Sequence, residues 1–326
     1  MRIRQAVVVI TGASSGIGRA TALLLARRGA VLVLASRNSA ALAEVAAQCR
    51  ARGGEALSVP TDVTDAAAVG NLAARTVNRF GRLDVWINAA GVLAYGPFSR
   101  LPLDDVRQVL EVNVMGTVHG AQAALPHMRD QDSGVLINVS AMTAIAPQPY
   151  AHAYSMSKAA VRALGVSLRQ ELWIEGANGV SVCTVLPSVV DTPLFEHAAN
   201  YTGRATAAMA PVYSPEHVAG VIAAVIRRPR REAIAGPSGR ILAVGAKIAP
   251  GLTEAITAIQ FDRQQLSRTA EAEATLGTLY QPGDDTGTVH GGLHSRRRTA
   301  VRRVLTAALV TGALAGTARL ARRFTT

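Results

Sequence analysis

Up to about Gly236 the chain repeats one pattern: a short apolar run rich in valine and isoleucine, then a longer stretch with apolar positions at helical spacing. The runs are Ala6–Ile10, Val31–Ala35, Ala56–Pro60, Asp84–Asn88, Gly134–Val139 and Val180–Val185, with a weaker seventh at Glu232–Gly236. Continuous apolar runs, without a polar residue at every second position, indicate strands buried on both faces. That is the condition of a parallel sheet covered on each side by helices. The stretches between predict helices over Ile17–Arg28, Ala40–Arg52, Ala66–Arg79, Leu103–Arg129 and Tyr154–Ile174. Alternating strand and helix predicts a doubly wound α/β domain over residues 1–240.

After that the text changes. Residues 241–280 read as a helical extension, one or two amphipathic helices broken at Pro250-Gly251. Residues 281–295, rich in glycine and polar side chains, predict a flexible linker. His290 and His294 stand four apart there, but a metal-binding pair at that spacing needs a rigid helix, so no metal is expected. Residues 296–326 predict a basic-apolar C-terminal helix, with an uncharged run from Val304 to Ala318 between arginines.

Charge refines this picture. The net charge is +12, yet residues 291–326 hold eight arginines and no acid, so the body of 290 residues carries only +4. A basic groove across the folded domain is therefore not expected, nor is a nucleic-acid partner, since the tail's only aromatic residue is Phe324. Fifteen uncharged residues fall short of the ~20 a spanning helix needs. Two readings of the tail stand: packing on protein, or peripheral contact with an anionic membrane through its arginine flanks. Two distant cysteines, Cys49 and Cys183, form no disulfide framework, and the apolar run near the N-terminus is too short for an export signal. The expected compartment is the cytoplasm, at the inner face of the membrane if the tail binds lipid.

The first strand runs into a turn, Gly12, Ser14, Ser15, Gly16, Ile17 and Gly18, that opens a helix. Glycines there permit a tight turn and close backbone approach, while the helix N-terminus offers free N–H groups to a pyrophosphate. The second strand ends in Ser36-Arg37 with no acid. A carboxylate at this place would bind the ribose hydroxyl of NAD, whereas an arginine suits the extra phosphate of NADP. NADP(H) is therefore expected over NAD(H), with Asp62 and Val63 near the adenine.

Five motifs now stand in order: TGASSGIG (Thr11–Gly18), NAAG (Asn88–Gly91), Asn113, YSMSK (Tyr154–Lys158) and PSVVDTP (Pro187–Pro193). Over residues 4–240 the chain resembles the short-chain dehydrogenase/reductase family. The resemblance implies a three-layer Rossmann-type fold with a seven-stranded parallel sheet, NAD(P)-dependent carbonyl–alcohol chemistry, and a homo-oligomer, dimer or tetramer. It makes Tyr154 the acid–base group. Lys158, one helical turn on, stabilises the phenolate and also holds the nicotinamide ribose. Asn113 resembles the asparagine that holds a relay water. Asn88, Ala89 and Gly91 match a turn supporting sheet and cofactor, and Pro187, Val190 and Thr192 match the segment at the nicotinamide.

The family's serine, which polarises the substrate oxygen, usually lies thirteen residues before the tyrosine. Here that position is Ala141, and Ser140 is fourteen before. The interval from Asn113 favours Ser140, with one residue inserted after it. An insertion upstream would instead leave alanine in the serine's place, and Thr143 is a remote substitute. A second departure is Ser188, where the family often has glycine.

Leu93, Tyr95, Met142, Tyr150, Leu194 and Phe195 form an apolar candidate pocket, suited to a small apolar carbonyl or alcohol substrate. The rival function is a non-catalytic nicotinamide-nucleotide-binding regulatory or scaffold protein, attached to a membrane or partner through its tail. The intact Tyr154, Lys158 and Asn113 set weighs against it.

Overall fold

The computed structural model describes residues 1–283 and 287–292. Seven parallel strands form one sheet: β1 (Val7–Thr11), β2 (Val31–Ser36), β3 (Glu55–Pro60), β4 (Val85–Asn88), β5 (Gly134–Val139), β6 (Val180–Pro187) and β7 (Glu232–Ala235). Their order across the sheet is β7-β6-β5-β4-β1-β2-β3. The sequence order reverses beside β1, and clefts for ligands open at such a switch point, past the carboxyl ends of the strands.

Helices α1 (Gly16–Ala26), α2 (Ser39–Arg50), α3 (Ala66–Phe80), α4 (Leu103–Leu110), α5 (Gly116–Asp130), α6 (His152–Ile174) and α7 (Pro215–Arg227) cover both faces. The division follows strand alternation. Val8 and Ile10 of β1 enter a core with Leu25 of α1 and Ile222 and Ile226 of α7. Val9 points the other way, into a core with Leu72 of α3, Leu125 and Met128 of α5, and Leu172 of α6. This is the doubly wound, three-layer α/β sandwich expected.

The single helix expected over Leu103–Arg129 is instead α4 and α5 joined by one π-helical turn, Glu111–Met115. One extra residue in a helix leaves no mark on a hydrophobic pattern, and such turns gather at functional sites. Asn113 sits in it.

Beyond β7 lie α8 (Pro237–Ile248) and α9 (Pro250–Gln260), separated at Ala249 just before the proline expected to break them. The extension does not end as a helix. A π-turn, Phe261–Gln265, leads into a strand, Leu266–Glu271, that pairs antiparallel with Arg204–Thr206. Among the described residues no helix is long and apolar enough to cross a membrane. The C-terminal helix expected over residues 296–326 lies outside the described residues.

Candidate active site

β1, buried throughout, ends against the turn that follows β4. Gly12 has φ +67°, and a Cβ there would stand 2.7 Å from the main chain of Ala90; one on Gly18 would stand 2.1 Å from the carbonyl oxygen of Gly12. Side chains are excluded at both places, so the backbone forms a bare cradle at the N-terminus of α1, where amide N–H groups lack helical partners. A cleft runs from this cradle across the ends of the strands. Every expected cofactor residue but one lines it: Gly12 through Gly18 apart from Ala13, then Arg37, Asp62, Val63, Ala89, Gly91, Tyr154, Lys158, Pro187, Val190 and Thr192. These residues fit a nicotinamide dinucleotide, with the cradle for its pyrophosphate.

The exception is Asn88. Its Oδ1 accepts from Trp86 Nε1 at 2.7 Å, and its Nδ2 donates to Asn138 Oδ1 at 3.0 Å and the Thr117 carbonyl at 3.3 Å. It ties β4 to β5 and α5 below the cleft, as a polar group with no access to water must.

Lys158, on α6, is 5% exposed and donates through Nζ to the Val139 carbonyl at 3.1 Å. The ammonium lies 5.4 Å from the ring centroid of Tyr154, one turn earlier. Burial lowers its pKa to about 8. Tyr154 keeps part of its surface open to the cleft, yet the surrounding protein pushes its phenol above the ordinary value, so it stands protonated at neutral pH. A cation beside a neutral phenol is an arrangement that can release a proton and then hold the charge left behind.

Asn113 clamps the turn after β4. Its Oδ1 accepts from the Val92 amide at 2.8 Å, and its Nδ2 donates to the Val92 carbonyl at 3.0 Å and to Ser157 Oγ at 2.9 Å. A Cβ built on Gly91 would stand 3.3 Å from Asn113 Oδ1 and 3.5 Å from Lys158 Nζ, so asparagine and lysine converge on that glycine.

Ser140 lines the cleft, but its hydroxyl donates to the main-chain carbonyl of Lys158 at 2.7 Å. In this structure its one proton anchors the end of β5 to α6 and is not turned to the cleft. Ala141 lines the cleft beside it. Thr143 Oγ1 is buried without a hydrogen-bond partner.

Of the expected substrate residues, Leu194 and Phe195 line the cleft. Leu93 and Tyr95 form an adjoining buried cluster with Ala151, Phe261 and Leu266, against which Tyr150, Tyr154, Leu194 and Phe195 pack. Met142 is buried beside Gly239 of α8. Phe261, Gln265 and Leu266 were not expected here. Nothing local distinguishes them, because they arrive from the extension.

The tail also closes on the cleft. Gly16 N–H donates to the Thr288 carbonyl at 2.9 Å, and Arg19 donates to the Gly287 carbonyl. Arg37 donates to the carbonyls of Thr278, at 2.8 Å, and Tyr280, at 2.7 Å, and Asn38 donates to that of Gly283 at 3.2 Å. Asp191 accepts from the Gly291 amide at 3.1 Å, while His290 lies 3.4 Å from Asp191 and 2.9 Å from Glu216. The described residues of the expected linker thus form a docked strap. Its glycines were the available signal: a Cβ on Gly287 would meet the Ser14 carbonyl at 2.7 Å, and one on Gly291 the Thr192 carbonyl at 2.5 Å.

A family model described as short chain dehydrogenase matches residues 6–201. The chain is 32% identical over 323 residues to the oxidoreductase YxnA of Bacillus subtilis (strain 168), covering 96% of this chain and 90% of that protein. It is 35% identical over 232 residues to the oxidoreductase Lmo0432 of Listeria monocytogenes, covering 70% and 93%. Among solved structures it resembles a short chain dehydrogenase/reductase from Burkholderia phymatum in complex with NAD, at TM-score 0.71 and 28% identity, covering 77% of this chain and 96% of that one. An alcohol dehydrogenase from Thermococcus sibiricus complexed with 5-hydroxy-NADP matches at TM-score 0.62 and 26% identity, covering 70% and 95%.

Proposed function

The chain belongs to the short-chain dehydrogenase family and is an oxidoreductase, and from that premise we propose that it interconverts a carbonyl and a secondary alcohol on an apolar substrate, using NADP(H). The observation that carries the reading is the buried Lys158 ammonium 5.4 Å from the Tyr154 ring, both lining the cleft that begins at the glycine cradle. When bound, the nicotinamide supplies the hydride that reaches the carbonyl carbon. Tyr154 gives its proton to the carbonyl oxygen, and the Lys158 charge stabilises the phenolate that results. Asn113 holds the Gly91 turn against Lys158 and keeps that cation in place.

Support for NADP(H) is Arg37 at the end of β2, lining the cleft where no residue of Ser36-Arg37-Asn38 is an acid. The two structural relatives carry one cofactor each, NAD and an NADP derivative. Support for an apolar substrate is the uncharged cluster around Tyr95 and Phe261.

The test is NADPH oxidation by the full chain over a panel of apolar ketones and aldehydes, with Tyr154→Phe alongside. Turnover that disappears in Tyr154→Phe, with NADPH binding kept, is the expected result. Equal turnover in Tyr154→Phe rejects the mechanism. Tight NADPH binding with no turnover on any carbonyl favours the non-catalytic reading.

A further inference from the structure

A carbonyl under reduction gathers negative charge on its oxygen, and one proton donor leaves that charge half-served. A second hydrogen bond aimed at the oxygen is among the larger contributions available to such a site. Here the serine expected to give it has its proton on the Lys158 carbonyl, and Ala141 stands at the family spacing from Tyr154. The donor must come from elsewhere.

Tyr95 is the candidate in the buried wall that adjoins the cleft. It lies on a two-residue strand, Ala94–Tyr95, directly after the Gly91–Val92 turn that Asn113 clamps. That strand pairs with Ala199–Asn200, and the Tyr95 carbonyl also accepts from the Tyr201 amide at 2.7 Å, so its backbone is fixed on both counts. The side chain is 1% exposed and shares the apolar cluster against which Tyr154 packs. Phe261 flanks it at 5.9 Å between ring centroids and also stacks on Tyr150. Inside this wall Tyr95 Oη accepts a hydrogen bond from Gln265 Nε2. A phenol oxygen that accepts an amide proton still owns its own, and among the described residues that proton has no acceptor. A buried hydroxyl with an unused proton, in the cluster against which the proposed proton donor packs, is a costly feature unless something arrives to accept it.

We propose that Tyr95 is a catalytic residue that donates a hydrogen bond to the substrate's carbonyl oxygen in the serine's stead, and that Gln265 is the residue that positions it. The proposal rests on the reading of Tyr154 as proton donor. Atoms and electrons balance as before: the carbon takes a hydride with its electron pair from the nicotinamide, the oxygen takes the Tyr154 proton, and Tyr95 keeps its own. Burial, and then the neighbouring Tyr154, push the Tyr95 phenol above its ordinary value, so it stays a donor throughout the working pH range. The arrangement also gives the C-terminal extension a chemical task, since Gln265 and Phe261 both come from it.

The experiment measures kcat and KM for carbonyl reduction by full-length Tyr95→Phe, Gln265→Glu, Thr143→Val and Tyr154→Phe, with NADPH affinity measured separately. Tyr95→Phe keeps the ring, so packing is preserved; kcat is expected to fall about a hundredfold with NADPH affinity unchanged. A carboxylate in place of the Gln265 amide draws the Tyr95 proton to itself once ionised. Gln265→Glu therefore gains a fall in kcat with rising pH that the parent lacks, a signature that mere loss of packing would not produce and that remains readable if Tyr95→Phe does not fold. Turnover in Tyr95→Phe within about threefold of the parent, while Tyr154→Phe is inactive, overturns the Tyr95 assignment and leaves the proposed function standing. A matching loss in Thr143→Val alone transfers the role to Thr143. An active Tyr154→Phe defeats the underlying reading instead.

Discussion

The amide of Gly16, first residue of α1, donates at 2.9 Å to the carbonyl of Thr288, near the end of the described chain. That amide belongs to the cradle suited to a pyrophosphate, and Arg37, proposed to face a 2′-phosphate, donates to the carbonyls of Thr278 and Tyr280 just before the strap. Tail and nucleotide draw on the same donors. The cavity measures about 250 Å³, below the ~300–1,000 Å³ common for ligand sites, so on the proposed function a dinucleotide would displace the strap.

Loosening the strap should therefore ease nucleotide binding. His290→Ala removes the contacts to Asp191 and Glu216. These are partly solvated pairs, so the expected gain is modest, about two- to fivefold in NADPH association rate by stopped-flow fluorescence. A slower association would mean that the strap guides the nucleotide.

The lysine sets a pH limit. Lys158 is charged below about 8, and in the proposed mechanism the Tyr154 phenolate depends on that charge. Reductive kcat should hold below that pH and fall above it, and Lys158→Arg, which stays charged, should lose the break at a lower overall rate. A profile flat through about pH 8 contradicts the assignment. Stability runs the opposite way: between about 8 and 10.5 the unfolded chain binds the lysine proton and the folded chain does not, so stability rises with pH across that window. Tyr154, raised above its ordinary 10.0, turns the slope downward beyond it. Denaturant titrations over a pH series would show the change of sign.

Ser140→Ala should be a stability variant first. Removing a buried 2.7 Å hydrogen bond between β5 and α6 costs about 1 kcal/mol and lowers Tm by about 2 °C. Its kcat should fall far less than that of Tyr95→Phe. Calorimetry paired with steady-state rates checks both.

Arg37→Asp exchanges the charge at the end of β2. Loss of a charge-assisted hydrogen bond and repulsion of the 2′-phosphate should weaken NADPH by about tenfold or more, with NADH spared. Equal weakening of both nucleotides would place the 2′-phosphate elsewhere.

The sheet was legible because strands such as Val7–Thr11 are buried on both faces and write that burial into their composition. The glycine turn was legible because an absent Cβ at Gly12 and Gly18 is itself a sequence mark. The bond from Ser140 to the Lys158 carbonyl was not legible, because spacing counts residues and cannot say which way a hydroxyl turns. Gln265 and Thr288 were out of reach for another reason: their partners, Tyr95 and Gly16, lie far back in the chain, and pairing them requires the tertiary fold.

The π-turn at Glu111–Met115 makes α4 and α5 one interrupted rod whose two halves are rotated relative to each other. Val109 stays in the core before it, and Gly120 stays close against Asn88 after it. Deleting one residue from the turn would restore regular i→i−4 bonding and bring one half back into phase with the other. The helix would then be more regular, but either Asn113 would swing away from Val92 or the Gly120 face would leave the sheet. Helical content could rise while the Gly91 turn came unpinned. Here local irregularity is the condition for two distant surfaces being in register at once.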